Sequence, residues 1–304
     1  MESTLAAGAA GAAALASASA AASAAAAARS PSPPPSPSPP PSPQSGAPAP
    51  PASDGRLRQS VCRWCYGGIP LPDLCRHAAA MGLVAVDLLG EKEWSVPREH
   101  GLQCSLANGP CTIPEGFNRL SNHDRLVKEC ERLLPLVKEA GIERMIVFSG
   151  NRAGMSDAEG LRNCTTGLKR VTPLAESLGV TLVMELLNSK VDHKDYMCDR
   201  TPWGVALVEA VGSDRFRLLY DIYHMQIMEG DVIRTIQDHH RAFDHYHTAG
   251  VPGRHELDAA QELQYPAICR AIADTGFKGY LAQEFIPRGD PMTGLRQALQ
   301  VCTV

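Results

Sequence analysis

Through the second half of the chain, short apolar runs alternate with longer segments of mixed character, and four of the runs stop abruptly on a polar side chain. VTLVME closes on Glu185, FRLLYD on Asp221, AFDHYH on His247 and YLAQE on Glu284. Each run is rich in Val, Leu, Phe or Tyr and has little helical periodicity, the pattern of a strand buried on both faces of a parallel sheet. The segments between them, roughly 20 to 30 residues each, carry helix-like spacing, so the repeating unit is strand, loop, helix.

The same rhythm extends back to Gln59. Strands are predicted over residues 59–63, 84–89, 102–108 and 145–150, ahead of the four already named. Helices are predicted over 72–81, 122–140, 156–178, 203–211, 230–239, 267–274 and 295–301, with the helix after the second strand short or missing between Glu91 and Gly101. Pro135 and Pro173 are expected to kink or split the helices that contain them. Eight such units predict a (β/α)8 barrel of the TIM type, about the usual length of roughly 250 residues. An open doubly wound sheet is the alternative, but WCYGG after the first strand lacks the G-x-G-x-x-G spacing of a phosphate loop. In a parallel barrel the four polar ends share the C-terminal rim, where such enzymes place their chemistry.

Composition divides the 304 residues unevenly. Residues 4–28 are almost wholly Ala, Gly and Ser, and residues 30–51 hold 12 of the 24 prolines. The first tract has no amphipathic stripe to bury, and the second suits an extended, solvated spacer. Residues 1–55 are therefore expected to be a low-complexity disordered arm or linker, and 56–304 the barrel. Glu2 is the only charge before Arg29, unlike a secretory or transit signal. A cytoplasmic location is expected, with an organellar or exported address at the N-terminus left open.

A net charge of −4 and the absence of a Lys/Arg-dense stretch argue against a nucleic-acid partner. No later segment offers the 18 or so consecutive apolar residues of a membrane span. The expected partner is a small-molecule substrate, without nucleic acid or membrane, and a homo-oligomer is compatible with the chain. Cys62 and Cys65 form the C-x-x-C of VCRWCYGG with no second pair, and are read as plain thiols beside the end of the first strand.

A carboxylate entering an apolar interior needs a partner or a metal. Singly, each polar strand end has a plain reading: Asp221 and His224 in DIYH fit a local hydrogen-bonded turn, and His245 and His247 merely share a strand face. Together, Glu185, Asp221, His247 and Glu284 offer three carboxylates and one imidazole. That set suits one divalent ion, Mg²⁺ or Mn²⁺ first, with Co²⁺ or Zn²⁺ admissible, and not a thiolate-rich structural zinc site.

These residues also carry a resemblance. E-L-L-N at 185–188, D-I-Y-H-M-Q-I-x-E-G at 221–230, A-G-V-P-G-R-H-E at 249–256 and Q-E-F at 283–285 resemble the hydroxypyruvate isomerase family, within the xylose isomerase-like barrel superfamily. The resemblance implies a (β/α)8 barrel with one divalent ion held by Glu185, Asp221, His247 and Glu284. It also implies Glu185 and Glu284 as the acid/base pair, with His224 and Arg254 holding substrate oxygens. The implied reaction takes hydroxypyruvate to tartronate semialdehyde through an enediolate. The family commonly has Gln where this chain has His247, and the H-x-H form is more similar to sugar 3-epimerases. A ketose or keto-sugar 3-epimerase is therefore the first alternative. Less favoured are an endonuclease IV-like hydrolase, which would need further ligands and a basic groove, and a non-catalytic binding protein working through its Pro-rich arm.

Overall fold

The computed structural model describes residues 55–304, so the arm expected over 1–55 lies, Gly55 apart, outside the described residues. Eight strands form the centre: β1 (Arg58–Cys62), β2 (Ala85–Leu89), β3 (Gln103–Ala107), β4 (Arg144–Val147), β5 (Thr181–Leu186), β6 (Phe216–Asp221), β7 (Phe243–Thr248) and β8 (Tyr280–Gln283). Each pairs in parallel with the next, and β8 pairs with β1 to close the barrel. This is the (β/α)8 architecture that the alternating pattern predicts; the open-sheet alternative is excluded by the β1–β8 pairing.

The outer layer consists of α1 (Leu71–Met81), α2 (Val96–Glu99), α3 (His123–Glu139), α4 (Asp157–Leu178), α5 (Thr201–Val211), α6 (Ile222–Met228), α7 (Val232–His239), α8 (Tyr265–Asp274) and α9 (Pro291–Cys302). Local chemistry sets their limits. At α4 the Ser156 hydroxyl accepts the Glu159 N–H at 3.2 Å, satisfying one of the orphan donors of the first turn. Cys164, Leu168, Val171 and Ala175 then recur at helical spacing on its buried face. Gly179, at φ 70°, takes the left-handed position that stops the helix.

Three details differ from expectation. Pro135 and Pro173 do not split their helices: α3 and α4 run through them without a break. Both rings lie on the solvent side, where the carbonyl that loses its partner one turn earlier can turn to water. The segment after β6 forms α6, because Asp221 Oδ1 accepts the His224 N–H at 3.0 Å and caps it. Lastly, β8 ends at Gln283, which places Glu284 one residue beyond the paired strand.

The barrel interior has two unlike sectors. Leu106, Ile146, Val183 and Leu219 pack as one apolar cluster across β3 to β6. On the other side, Ser60, Asp87, His245 and His247 are buried from β1, β2 and β7. β2 is irregular, with register shifts around Asp87 and Leu88 at φ 58°. The apolar sector supplies packing, and the polar one descends from the C-terminal rim into the core.

Candidate active site and metal centre

The four polar strand ends meet. Glu185, Asp221, His247 and Glu284 each offer one ligand atom, and these atoms lie within 4.8 Å of one another, all four residues buried. His247 Nδ1 is at the centre, 2.5 Å from Glu284 Oε2, 3.1 Å from Glu185 Oε1 and 3.9 Å from Asp221 Oδ2. The paired strands explain the convergence: Asp221 is directly opposite His247 in the β6–β7 register, and Glu185 and Glu284 come in from β5 and the end of β8.

Arg254 reaches the cluster from the loop after β7. Its Nη2 donates to Asp221 Oδ2 at 2.8 Å and to Glu284 Oε2. Its Nη1 lies 2.9 Å from His224 Nε2. The backbone at Gly253 and Arg254 has φ of 90° and 60°; the second is uncommon for a residue with a side chain and turns this one into the barrel mouth. Trp64, from the turn after β1, donates its indole N–H to Glu284 Oε1 at 2.6 Å.

Burial and neighbouring charge separate the ionisations. Burial pushes the Glu185 carboxyl up to about 7, against the lowering effect of the His247 hydrogen bond. Glu284 is equally enclosed, yet the His247 and Arg254 charges outweigh burial and hold it down to about 2. Burial would depress His247, but Glu284 and other neighbours raise it well above the usual imidazole value. His224 has its pKa driven well below that value by burial, so its ring is neutral.

The donor set fits a divalent ion. Three carboxylates face one imidazole and one guanidinium, so the cluster has an excess of negative charge that a second proton on His247 only partly offsets. Hard oxygens with one imidazole are a donor set that a divalent cation takes. The structure thus brings together all six residues singled out in the sequence: Glu185, Asp221, His224, His247, Arg254 and Glu284.

Sequence reasoning missed Trp64 and Asp87. Trp64 sits in a loop whose place over Glu284 depends on closure of β1 against β8. Asp87 was visible as the one charge inside the apolar run VAVDLL, although nothing in the run shows what it faces.

Above the cluster is a cavity of about 540 Å³. Glu185, Glu284, His224 and Arg254 form part of its wall, and Leu88, Ile113, Ile146, Phe148, Leu187 and Ile286 supply an apolar side. Among its described lining residues Arg254 is the only Lys or Arg. No described helix is long and apolar enough to cross a membrane. All ten cysteines are free.

The chain is similar in sequence and fold to known proteins. Residues 95–303 match the model of the xylose isomerase-like TIM barrel. A human protein provisionally named hydroxypyruvate isomerase is 27% identical over 241 residues, covering 74% of this chain and 87% of the relative. The 2-oxo-tetronate isomerase of Cupriavidus necator is 33% identical over 167 residues, 54% of this chain and 63% of that one. In fold, the chain is similar to the AP endonuclease, family 2, of Brucella melitensis, with a TM-score of 0.71 at 23% identity over 79% of this chain and 97% of that one. It is also similar to a D-psicose 3-epimerase, with a TM-score of 0.66 at 14% identity over 81% and 96%. The chain belongs to the xylose isomerase-like TIM-barrel family and is an isomerase of that family.

Proposed function

We propose that the protein isomerises a small hydroxy-carbonyl acid, hydroxypyruvate first, using Glu185 and Glu284 as acid/base pair beside one divalent ion. The observation that carries the reading is the convergence of two buried glutamates and Asp221 on His247 at the mouth of the barrel. Glu185, Asp221, His247 and Glu284 would hold the ion, which supplies Lewis-acid stabilisation of charge developing on the substrate oxygens.

The protein groups then have distinct tasks. One glutamate takes a proton from C3 of hydroxypyruvate, and the other delivers one at C2, through an enediolate. The O3 hydroxyl proton passes to O2 in the same exchange. One C–H and one O–H bond break and one of each forms, so no external oxidant or reductant is required. Arg254 holds the substrate carboxylate: its Nε–H is buried without a hydrogen-bond partner, and a guanidinium is the side chain best shaped for a carboxylate. His224, neutral, has its Nε2 on Arg254 and its Nδ1 on Asn188, and its Nε2 becomes available to a substrate oxygen when the Arg254 guanidinium turns to the substrate carboxylate. The apolar wall excludes water from the enediolate.

A second reading concerns substrate length. The cavity of about 540 Å³ exceeds the needs of a three-carbon acid, which favours a four-carbon hydroxy-carbonyl acid of the 2-oxo-tetronate kind or a ketose at the same site. Turnover of hydroxypyruvate, a 2-oxo-tetronate and a ketose by the full chain, with Mg²⁺ or Mn²⁺ and after chelation, separates these. The account expects metal-dependent turnover of at least one acid, abolished in Glu185→Gln. Turnover of the ketose alone would overturn the acid assignment, and turnover that survives chelation would overturn the metal-assisted mechanism.

A further inference from the structure

Beneath the rim lies a buried polar column that the proposed chemistry does not use. At its centre is Asp87 of β2, fully enclosed. Its Oδ2 is 2.6 Å from His245 Nε2 and 3.2 Å from His247 Nε2. Its Oδ1 accepts the Ser60 hydroxyl at 3.0 Å and the Ser105 hydroxyl as well. Two hydroxyls and two imidazole nitrogens thus occupy the roughly four acceptor sites of a carboxylate.

The geometry constrains both imidazoles. A carboxylate surrounded in this way only accepts, so each facing Nε2 must carry a proton. At His245 the other nitrogen, Nδ1, is buried with no hydrogen-bond partner. At His247 the other nitrogen is the one facing Glu185, Asp221 and Glu284. A ring whose Nε2–H is committed below has its Nδ1 free to serve above.

We propose that Asp87 is a positioning residue for the metal centre. By accepting the His247 Nε2–H, it holds the ring in the tautomer and orientation that turn the Nδ1 lone pair toward Glu185, Asp221 and Glu284. The inference rests on the reading of those four residues as ion ligands. A carboxylate behind a ligating imidazole both fixes the ring and raises its basicity.

The column also contains Cys62, and Cys62, Asp87 and His247 lie close enough to suggest a second ion site. Asp87 speaks against it, because its acceptor sites are already filled from Ser60, Ser105, His245 and His247. The Cys62 sulfur is 3.8 Å from His247 Nε2 and 4.0 Å from Asp87 Oδ2, hydrogen-bonding separations for a thiol. The column supports the centre above it.

The test uses the full chain in three forms: wild type, Asp87→Asn, and the double variant Ser60→Ala/Ser105→Ala. Mn²⁺ binding is followed by calorimetry, folding by circular dichroism and thermal unfolding, and the His247 tautomer by ¹⁵N NMR of the Mg²⁺-loaded wild type. Asp87→Asn can place an amide N–H against Nε2 and so disfavours the required tautomer. Mn²⁺ affinity should fall roughly 10- to 100-fold in Asp87→Asn and by less in the serine double variant, which keeps the carboxylate but loosens it. The wild-type spectrum should place the His247 proton on Nε2.

If Asp87→Asn fails to fold, the serine variant and the wild-type spectrum decide. Wild-type Mn²⁺ affinity in Asp87→Asn, a His247 proton on Nδ1, or two ions bound per chain would overturn the role of Asp87 and leave the ion site standing. A wild-type chain that binds no divalent ion would overturn the site and the role together.

Discussion

The Trp64 indole N–H donates to Glu284 Oε1 at 2.6 Å, joining residues 220 positions apart in the chain and fixing one of the two proposed proton-transfer groups from the rim. Arg254 holds the other oxygen of the same carboxylate. Glu284 is thus gripped at both oxygens, one by a loop at the start of the barrel and one by a loop near its end. Replacing Trp64 with Phe keeps the aromatic plane and removes only the donor. Because Trp64 is about half exposed, the loss should be modest, about 1 kcal/mol or roughly fivefold in kcat/KM. Steady-state kinetics check this, with an unchanged unfolding temperature as control.

Arg254 contacts Asp221, Glu284 and His224 at once. A lysine has the charge but not the fork. Arg254→Lys should lower kcat/KM for an acidic substrate roughly 100-fold, about 2.7 kcal/mol, with part of the loss in KM. Kinetics that match wild type would remove Arg254 from carboxylate binding.

The ionisation pattern gives a sign for pH. Burial lifts Glu185 to about 7, and His247, despite burial, is lifted well above its usual range by Glu284 and its neighbours. Before an ion enters, these ligands hold protons at neutral pH; a ligand must be unprotonated to bind. Divalent-ion affinity should therefore rise with pH through 7, and binding should release protons. Calorimetry in two buffers of different ionisation enthalpy measures the release. Uptake of protons, or none moved, would contradict the assignment.

Tyr196 links the active-site strand to the one before it. Its hydroxyl donates to the Glu185 carbonyl at 3.0 Å and accepts the Ser149 N–H at 3.1 Å, with the whole ring buried. Tyr196→Phe strands both backbone groups and should cost about 1–3 kcal/mol. The urea midpoint should fall with its slope unchanged.

Much of this was legible in the chain. A parallel strand buried on both faces is written as an uninterrupted apolar run, so a carboxylate or imidazole at its end is conspicuous, and Glu185, Asp221, His247 and Glu284 stood out for that reason. Arg254 and His224 came only through resemblance to a family. Asp87 and Trp64 could not be assigned roles, because their partners are 160 and 220 residues away and meet them only across the closed barrel. Pro135 and Pro173 do not split their helices, because a proline rule is local, whereas the face on which the ring falls is decided by packing.

The most direct test of the two-glutamate mechanism is exchange of hydroxypyruvate C3 hydrogens with solvent deuterium, followed by NMR, in wild type, Glu185→Gln and Glu284→Gln, each with Mn²⁺ and after chelation. The account predicts that wild type with the ion places deuterium at C2 of the product, that chelation abolishes this, and that each variant loses product formation. Product formed at the wild-type rate by either variant, or without an ion, would contradict it.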